Sequence, residues 1–365
     1  MPMNIAVIGG DGIGAEVTRE SLKILQAVSQ HVGFDYQCTE LPYSGQHYLQ
    51  TGTVITEEQI EALRGYDAIL FGAIGHPDVD PGILERGLLL KLRFDLDLYI
   101  NLRPIHLYPG VQTPLKEAGP EEIDCVVVRE NTEGLYCGCG GIMRKGTPDE
   151  ISTQEMVTTR KGVERCVRYA FELCRRRKQQ GTGRGQLTLV HKTNVLTFCG
   201  DTWFRVFEEI GQAEYSDIEC GYDHVDACCM YMVTQPKRYD TVVVPNMFGD
   251  IITDLGAAIA GGMGLAASGN LNLDVSRQGP SLFEPVHGSA PDIAGQNKAN
   301  PIASALSLAM LLQETGQLRD DESAVEAGNR VEHAVGMLCA KLAGQNMDRL
   351  EIGTDEVGDQ IVSLL

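Results

Sequence analysis

The sequence predicts an α/β fold with two domains, and three observations carry this prediction. Short apolar segments alternate with amphipathic segments along the chain, which is typical of a parallel sheet covered by helices. The chain has 365 residues, about twice the length of an average domain. Neither a low-complexity linker nor an internal repeat separates two halves. The two domains are therefore predicted to be interleaved along the sequence.

The first strand and the first helix are joined by a glycine-rich turn. Asn4 to Ile8 is an apolar strand, and Gly9-Gly-Asp-Gly-Ile-Gly14 leads into apolar residues at helical spacing. With Ala15, this turn matches the G-x-G-x-x-G/A pattern of a dinucleotide-binding site, and Asp35 near the end of the next strand could bind a ribose. The pattern is short and glycine is common in this chain, so a standard Rossmann site is only one hypothesis for the turn.

The remaining predicted elements keep alternating between strands and helices. Their pattern predicts a parallel sheet flanked by helices. In order, they are an extended segment from Phe34 to Leu41, a helix from Thr56 to Leu63, a buried strand from Asp67 to Ile74, a helix from Gln154 to Lys178, strands from Gln186 to His191, from Ile218 to Val225 and from Thr241 to Val244, and helices at 302–312, 322–342 and 355–364.

The composition argues against several classes of function. A formal charge of −20 disfavours nucleic acid or an anionic membrane as a partner, and no apolar run reaches transmembrane length. The basic run Arg175-Arg-Arg-Lys178 is expected to be a solvated helix end. The N-terminus shows no basic leader, and eleven scattered cysteines without a Cys-x-x-Cys pair indicate reduced thiols. We therefore expect a cytoplasmic protein with a small-molecule substrate.

A Gly- and Cys-rich stretch near 137–153 has turn chemistry and no helical period. It could form a protruding hairpin that is used in dimerisation. Two cysteine pairs, Cys137 with Cys139 and Cys228 with Cys229, lack further His or Cys residues at ligand spacing. A zinc or redox site is therefore not expected at either pair.

Three arginines lie at the ends of predicted elements. Arg93 lies on a helix that leads into the strand with Arg103, and Arg129 ends another strand. Each could be an ordinary surface salt-bridge residue. Planar guanidinium groups bind carboxylates through two parallel hydrogen bonds, so together these residues could instead form a site for a polycarboxylate. In so acidic a protein, a cluster of positive charge would indicate a local role, such as the binding of an anion.

A pair of aspartates lies on the helix that follows the strand Thr241 to Val244. Asp250 and Asp254 are four residues apart and therefore share one helix face. A hard divalent cation with oxygen ligands, Mg²⁺ or Mn²⁺, would remove the repulsion between their carboxylates. The alternative is an ordinary helix N-terminus, where the helix dipole favours acidic residues.

Two more charged residues and one loop complete the set of candidate positions. Lys192 and Asp226 follow predicted strands, where open α/β sheets place their sites, although most charges at strand ends are merely solvated. Further along the chain, Phe283 to Gly295 follows glycine-rich turns and contains Glu284, His287 and Asp292.

In combination, these motifs resemble the β-decarboxylating dehydrogenases, the isopropylmalate/isocitrate dehydrogenase family. The resemblance covers nearly the whole chain, from the first glycine turn to the final helices. It implies an isopropylmalate/isocitrate dehydrogenase-like fold of two interleaved α/β domains, with a non-Rossmann NAD site in the cleft. Residues 1–101 and 258–365 would form the cofactor-binding domain. Residues 102–257 would form the substrate and dimerisation domain, with the protruding arm near 137–153. A homodimer with shared active sites is also implied.

The resemblance implies a role for each charged candidate. Members of the family oxidise a 2-hydroxy acid and then release CO₂ from the resulting β-keto acid, so the site needs groups for carboxylates, a cation and two proton transfers. The implied residues are Arg93, Arg103 and Arg129 for the substrate carboxylates; Asp250 and Asp254 of one subunit with Asp226 of the other for Mg²⁺ or Mn²⁺ and the substrate; Lys192 of the other subunit as proton acceptor; and Tyr136 as proton donor.

The segment from Glu284 to Gly295 resembles the adenosine-binding loop of the family. Asp292 would lie at the ribose hydroxyls, where a carboxylate accepts hydrogen bonds and repels a 2′-phosphate, so NAD is expected rather than NADP. The implied cofactor contacts are Ile13, Glu284, His287, Gly288, Ser289, Ala290, Asp292 and Asn300.

The expected substrate depends on the residues around the first arginine. Leu89, Leu90 and Val195 would line an apolar pocket, which favours an isopropyl group by about 1–3 kcal/mol and thus the oxidative decarboxylation of 3-isopropylmalate. Arg86 and Asn131 depart from the commonest pattern of isopropylmalate enzymes. Homoisocitrate, isocitrate and D-malate or tartrate therefore remain alternatives, as does a catalytically inactive ligand-binding relative on the same scaffold.

Overall fold

The computed structural model describes residues 1–273 and 279–365. Within these ranges, the strands are β1 (Met3–Gly10), β2 (Tyr36–Glu40), β3 (Ala68–Ala73), β4 (Ile100–His106), β5 (Asp124–Glu130), β6 (Gly140–Met143), β7 (Ile151–Gln154), β8 (Gln186–His191), β9 (Glu219–His224), β10 (Thr241–Val244), β11 (Ala267–Leu271) and β12 (Ser281–Pro285). The helices are α1 (Ile13–Val32), α2 (Gly45–Thr51), α3 (Glu57–Leu63), α4 (Lys91–Asp95), α5 (Arg160–Gln180), α6 (Thr197–Glu214), α7 (Val225–Thr234), α8 (Asn246–Ile259), α9 (Ile302–Leu318), α10 (Glu322–Lys341) and α11 (Thr354–Val362). A π-helical turn, Glu85–Leu90, precedes α4.

The chain divides into two compact units, each built from separate segments. Unit 1 contains Met1–Leu98, His106–Pro120 and Ala257–Leu365, and unit 2 contains Tyr99–Ile105 and Glu121–Gly256. Two α/β bodies are thus interleaved along the sequence.

The segment His106–Pro120 belongs to unit 1, whereas all of 102–257 is predicted to lie in the second domain. The reason is close packing against α10. Gly110 has a φ of +88°, and a Cβ there would lie 2.8 Å from the carbonyl oxygen of Cys339. Such an approach requires glycine, and a local pattern cannot reveal a contact with a helix so distant in sequence.

In unit 1, the strands have the order β2-β1-β3-β12-β11. The first four run parallel, and β11 pairs antiparallel with β12. Ile8 and Phe71 belong to a core cluster that also contains Leu63 of α3 and Leu92 of α4. Side chains alternate along a strand, so residues such as Val7 face the opposite side, where α1 packs on β1 and β3. The sheet of unit 1 thus lies between two helical layers.

In unit 2, the strands have the order β4-β5-β10-β8-β9. Strands β5, β10, β8 and β9 run parallel, and the valines of β5 and β10 are buried. Helix α5 packs on β5, β8 and β10, while α6 and α7 pack on β8. This buried, mostly aliphatic arrangement is typical of a parallel sheet covered by helices.

The parallel strands of unit 2 all end at the same side of the sheet. We call this side the carboxyl edge of unit 2; it is formed by the strand ends Glu130, His191, His224 and Val244. Open α/β sheets place their ligand sites outside such edges. The segments that follow these strand ends therefore position most of the candidate site.

The predicted arm is a hairpin, and the helix after it starts later than predicted. Strands β6 and β7 pair antiparallel, and the residues of both strands are exposed. Helix α5 begins at Arg160, not at Gln154, which ends β7. The side chain of Thr159 accepts a hydrogen bond from the backbone N–H of Gly162 and so caps the helix.

The basic run at the end of α5 forms ion pairs and hydrogen bonds, whereas it is predicted to be a solvated helix end. Arg175 forms an ion pair with Asp217, and Arg177 lies 3.3 Å from Asp240. Lys178 Nζ donates to the carbonyl oxygen of Asp217 at 2.5 Å. These contacts join α5 to neighbouring elements of unit 2.

All eleven cysteines lie in the described ranges, and each is a free thiol. Burial raises the pKa of the Cys125 and Cys228 thiols to about 12, which keeps both protonated. Among the helices of residues 1–273 and 279–365, none is both long and apolar enough to cross a membrane.

The close approach of β1 and β3 can be tested by substitution of Gly10, with Gly33 as the control. Gly10 and Gly33 both have a positive φ, but a Cβ on Gly10 would lie 1.9 Å from the carbonyl oxygen of Ala73, whereas one on Gly33 would meet nothing within 4 Å. We expect Gly33→Ala to cost about 1 kcal/mol from backbone strain. Gly10→Ala should cost at least about 3 kcal/mol more, because β1 must move away from β3. Thermal unfolding followed by circular dichroism compares the two variants, and equal losses would contradict this packing.

Candidate active site

The carboxyl edge of unit 2 brings together three of the predicted site residues. Arg129 lies in β5, and its Nη1 is 2.5 Å from Asp250 Oδ1 on α8. The hydroxyl of Tyr136 donates to the other oxygen, Asp250 Oδ2, at 2.8 Å. The Tyr136 ring also lies 5.4 Å from the guanidinium carbon of Arg129. One carboxylate therefore contacts both a guanidinium group and a phenol.

Arg103 and Asp254 extend this cluster by one helical turn. The guanidinium group of Arg103 is buried and lies 3.8 Å from the carboxylates of Asp250 and Asp254. Its Nη1 donates to Thr253 Oγ1 at 3.0 Å, and its Nε donates to Asn101 Oδ1 at 2.7 Å. The positive charge thereby reduces the repulsion between two acids on the same helix face.

Asp250 and Asp254 fit part of a site for a hard divalent cation. They supply oxygen donors from successive turns of α8, and the Asp254 side chain is 63% exposed. Within residues 1–273 and 279–365, one chain contains no group of three or more His, Cys, Asp or Glu side chains that could hold a metal ion. The third predicted ligand, Asp226, is therefore not grouped with the other two in one chain. Its contribution from a second subunit stays a prediction.

Lys192 and Asp226 form an ion pair at the surface of unit 2. Lys192 follows β8, Asp226 lies in the first turn of α7, and Lys192 Nζ is 2.6 Å from Asp226 Oδ1. The hydrogen bond from Lys192 lowers the pKa of Asp226. Nearby in the sequence, Val195 is 65% exposed and Phe198 is 91% exposed. Within one chain, Val195 thus faces solvent, although it is predicted to line an apolar pocket.

His191 anchors the strand end that presents Lys192. The His191 side chain is fully buried, 5.8 Å from the ring of Phe248 and 6.3 Å from that of Trp203. Neither ring nitrogen has a hydrogen-bond partner among the described residues. Burial lowers the pKa of His191 to about 4, so the imidazole is neutral at pH 7.

Arg93 and Glu284 pair with each other in unit 1. The resemblance implies that Arg93 contacts the substrate and Glu284 the cofactor, whereas Arg93 Nη2 lies 3.0 Å from Glu284 Oε1. Both side chains are buried, and Asn270 Nδ2 donates to the same carboxylate oxygen at 2.9 Å. Glu284 is therefore placed to orient Arg93, and removal of either charge would leave the other uncompensated. The direct cofactor contact of Glu284 stays a prediction.

The leucines before Arg93 lie on the π-helical turn Glu85–Leu90. Leu88 is fully buried in the core of unit 1, Leu89 packs partly against that core, and Leu90 is half-buried. Such turns are rare and frequently occur at functional sites. The predicted contact of Leu89 and Leu90 with a substrate alkyl group stays a prediction.

The N-terminal glycine turn does not have the arrangement of a standard Rossmann site. Asp35 precedes β2 and therefore lies at the amino end of that strand, whereas the glycine turn follows the carboxyl end of the parallel strand β1. A Cβ on Gly12 would lie 2.0 Å from the carbonyl oxygen of Ser289. The hypothesis of a standard site is wrong because its ribose acid would lie at the opposite edge of the sheet and because protein backbone abuts the turn.

The loop after β12 lies against the start of α1. The backbone N–H of Ile13 donates to the carbonyl oxygen of Ser289 at 2.8 Å. The Ile13 side chain is buried with Val17 and Ala299, and Ala290 packs against this cluster. Ile13 therefore contributes to the core of unit 1 rather than presenting an open side chain.

His287 and Asp292 suit the binding of an adenosine group. Burial lowers the pKa of His287, and its Nε2 is buried without a hydrogen-bond partner among the described residues. Its Nδ1 is 3.0 Å from the carbonyl oxygen of the exposed Gly288, and the Asp292 side chain is exposed. An unpartnered buried nitrogen beside an open glycine fits a ligand that supplies the missing hydrogen bond. These residues therefore fit the predicted cofactor.

Asn300 already uses both ends of its side chain. Its Nδ2 donates to the carbonyl oxygen of Met347 at 2.7 Å, and its Oδ1 accepts from the backbone N–H of Ile302 at 3.0 Å. Asn300 thus holds the start of α9, and its predicted support of the cofactor loop is indirect.

Two residues of the cluster were not predicted from the sequence. Asn101 and Asn246 accept hydrogen bonds from the guanidinium groups of Arg103 and Arg129. A weak signal was present for Asn246, because it lies directly between a buried strand and the helix with the two aspartates. Which side chain the amide contacts depends on the order of the strands in the sheet, and the position of Asn246 in the sequence does not reveal that order.

The chain is similar to known proteins over nearly its whole length. A family model described as isocitrate/isopropylmalate dehydrogenase matches residues 4–361. The 3-isopropylmalate dehydrogenase of Thermobifida fusca is 52% identical over 359 residues, which cover 98% of this chain and 96% of that protein. The protein of the same name from Mycobacterium tuberculosis is 51% identical over 363 residues, 100% of both chains. The crystal structure of isocitrate dehydrogenase from Methylococcus capsulatus matches with a TM-score of 0.84 and 34% identity over 99% of each chain.

We expect the burial of neutral His191 to make the protein sensitive to acid. The pKa of His191 is about 4 in the folded state, against 6.5 for an unperturbed histidine, so its contribution to stability is complete above pH 6.5 and is lost as the pH falls through 4. That loss is on the order of 3 kcal/mol. In His191→Leu, an apolar side chain that cannot titrate replaces the imidazole. The Tm of this variant should therefore fall less between pH 7 and pH 4 than that of the unmodified protein. The control is His333→Leu at an exposed position, and equal acid sensitivity of both variants would contradict the assignment.

Proposed function

The chain belongs to the isocitrate/isopropylmalate dehydrogenase family, and we propose that it catalyses the NAD-dependent oxidative decarboxylation of 3-isopropylmalate to 2-oxo-4-methylpentanoate, a step of leucine biosynthesis. The family and the fold class predicted from the motifs are thereby confirmed. The chain is an enzyme of the dehydrogenase class. The observation that carries the proposal is the cluster of Arg129, Asp250 and Tyr136 at the carboxyl edge of unit 2.

Substrate binding follows from the buried guanidinium groups. Arg103 and Arg129 are both at ion-pair distance from the carboxylate of Asp250. A substrate with two carboxylates offers the same kind of partner, and bidentate contacts to arginine are among the stronger hydrogen bonds in proteins. Arg93, which Glu284 holds in unit 1, is the third proposed ligand for the substrate.

Asp250 and Asp254 would hold Mg²⁺ or Mn²⁺, together with Asp226 from a second copy of the chain. Such a cation supplies Lewis-acid stabilisation of the negative charge that develops on the substrate oxygen. The two aspartates of α8 fit this role because both are oxygen donors and Asp254 is largely exposed. The second copy is needed because one chain groups fewer than three such ligands among its described residues.

Two side chains carry the proton transfers in the proposed reaction. Lys192 accepts the proton of the substrate hydroxyl as that carbon is oxidised. After loss of CO₂, Tyr136 donates a proton to carbon. The hydrogen bond from the Tyr136 hydroxyl to Asp250 holds the phenol beside Asp250 and Arg129, so its proton is close to where the substrate would bind.

The proposed cofactor is NAD, which accepts the hydride. His287 and the loop Gly288–Ala290 would contact the adenosine part, and Asp292 would accept hydrogen bonds from the ribose hydroxyls. Support comes from the unpartnered Nε2 of His287 and from the exposed carboxylate of Asp292. A negative charge at this position repels the 2′-phosphate of NADP.

We propose a homodimer in which a second copy covers exposed apolar residues of unit 2. These residues lie on α6, α7 and α8 and in the loop after β8, where Val195 follows Lys192 by three positions. Burial of such side chains between two copies would be favourable. They are Val195, Phe198, Phe204, Met230, Val233 and Ile251, and the arm adds Ile142, Met143 and Ile151.

We place the enzyme in the cytoplasm. Eleven free thiols, several of them exposed, are typical of a reducing compartment.

A second candidate substrate is homoisocitrate or isocitrate. The observation that favours it is Arg86, which is exposed on the π-helical turn that also carries Leu89 and Leu90. An arginine beside the pocket would bind the additional carboxylate of these acids.

The proposed substrate and cofactor can be tested in one set of assays. NADH formation is measured with 3-isopropylmalate, isocitrate, homoisocitrate, D-malate and tartrate in the presence of Mg²⁺, and each is repeated with NADP⁺. We expect 3-isopropylmalate with NAD⁺ to give the highest kcat/KM, because an apolar group gains contact with Leu89 and Leu90. A higher value for an acid with a third carboxylate would favour the second candidate, and a preference for NADP⁺ would contradict the role of Asp292.

The shared active site can be tested by mixing inactive variants. Lys192→Ala and Asp254→Ala should each lose nearly all turnover. After subunit exchange, random pairing should make about half of the dimers mixed, each with one intact site, which restores about a quarter of the activity. The matched control mixes Asp250→Asn with Asp254→Ala, which damage the same side of each site and should stay inactive. No recovery in the first mixture would show that each site lies within one chain.

A further inference from the structure

The side-chain amide of Asn246 joins two parts of the candidate site. Asn246 is the first residue of α8 and is 2% exposed. Its Oδ1 accepts hydrogen bonds from Arg129 Nε at 3.1 Å and from Arg129 Nη2 at 2.8 Å. Its Nδ2 donates to the carbonyl oxygen of Glu133 at 3.1 Å. The acceptor and the donor of the amide are both used, so its orientation is fixed.

The two contacts connect Asn246 to two residues with different proposed roles, Arg129 and Tyr136. With Nε and Nη2 bound to Asn246, the guanidinium group of Arg129 presents Nη1 to Asp250. On the other side, Glu133 precedes Gly134, which has a φ of +77° and starts the short turn that carries Tyr136. Gly134 is also close to α8, since a Cβ there would lie 3.4 Å from the Cβ of Asn246.

We propose that Asn246 is a positioning residue that holds the carboxylate-binding Arg129 and the proton donor Tyr136 in one geometry. This inference rests on the proposed function, because the roles of Arg129 and Tyr136 belong to that reaction. A misplacement of about 1 Å can reduce turnover about 100-fold, so an anchor shared by both residues affects binding and proton donation together.

An amide suits this position better than a carboxylate for two reasons. A neutral acceptor orients the guanidinium group without cancelling its charge, so the charge stays available to a carboxylate of the substrate. An amide also donates to the Glu133 carbonyl, whereas a carboxylate has no donor and would repel that oxygen. Asn101 holds Arg103 Nε in the same way at 2.7 Å, so both buried arginines of unit 2 are oriented by neutral side chains.

Asn246→Asp tests both contacts with a nearly isosteric change. We expect KM for 3-isopropylmalate to rise about tenfold because the charge of Arg129 is partly cancelled, and kcat to fall about 100-fold because the Tyr136 loop is released. Hydrogen exchange of residues 131–137, followed by mass spectrometry, should become faster. This second measurement does not depend on activity.

The matched control is Asp240→Asn at the opposite end of β10. Asp240 is also 2% exposed, and it accepts hydrogen bonds from the backbone of Arg184, Gly185 and Gln186. Its replacement should lower Tm but leave KM, kcat and exchange at 131–137 within about twofold of the unmodified protein. A purely structural role of Asn246 would give the same pattern as this control and would overturn the inference.

A double variant separates failure of this inference from failure of the proposed function. Adding Asn246→Asp to Tyr136→Phe should lower kcat by no more than about twofold beyond Tyr136→Phe alone, while the rise in KM persists. If the double variant instead lost kcat by the product of the two single effects, Asn246 would not act through Tyr136. Normal turnover by Tyr136→Phe would overturn both the proposed function and this inference, whereas a defective Tyr136→Phe beside a normal Asn246→Asp would overturn only the latter.

Discussion

The contact between Asp250 and its two hydrogen-bond donors is the interaction on which the candidate site depends. One carboxylate oxygen faces Arg129, and the other accepts a hydrogen bond from the hydroxyl of Tyr136. Arg129 is almost fully buried, and charges interact more strongly away from water. A cation or an anionic substrate that enters this site changes the balance for all three groups at once. In the proposed reaction, substrate binding and proton transfer are therefore electrostatically linked through one side chain.

Much of this site follows from local rules in the sequence. Asp250 and Asp254 share a helix face because they are four residues apart, and Arg129 ends a β-branched apolar run that forms a parallel strand. Parallel strands end at a common edge, so Lys192 and Asp226 were also predicted near strand ends. Periodicity and strand direction are sufficient for such predictions because they need no knowledge of which strands are neighbours.

Contacts between distant segments could not be predicted in this way. Arg93 and Glu284 are 191 positions apart, and their pairing depends on the order of β12, β11 and β3 in the sheet of unit 1. The prediction that Asp35 binds a ribose failed because β2 begins one residue after it. Asp35 therefore lies at the amino end of this strand, at the edge of the sheet opposite the glycine turn. The start of α5 was misplaced because residues 155–159 contain only two apolar side chains, Met156 and Val157, which are too few to show a period that separates a strand from a helix. In each case, strand order or an element boundary decides the outcome.

The construction of unit 1 from three chain segments also determines the order in which its parts meet during synthesis. Strand β3 pairs with β12, and α1 packs on α9 and α11, so elements that leave the ribosome first receive their partners last. Strands β5, β8, β9 and β10 come from the continuous segment Glu121–Gly256 and emerge together. A nascent chain that ends before Ala257 therefore contains these four strands of unit 2, whereas the edge of β3 that pairs with β12 in unit 1 is still unpaired. Exposed edges of this kind are the surfaces from which misassembly starts and to which chaperones bind.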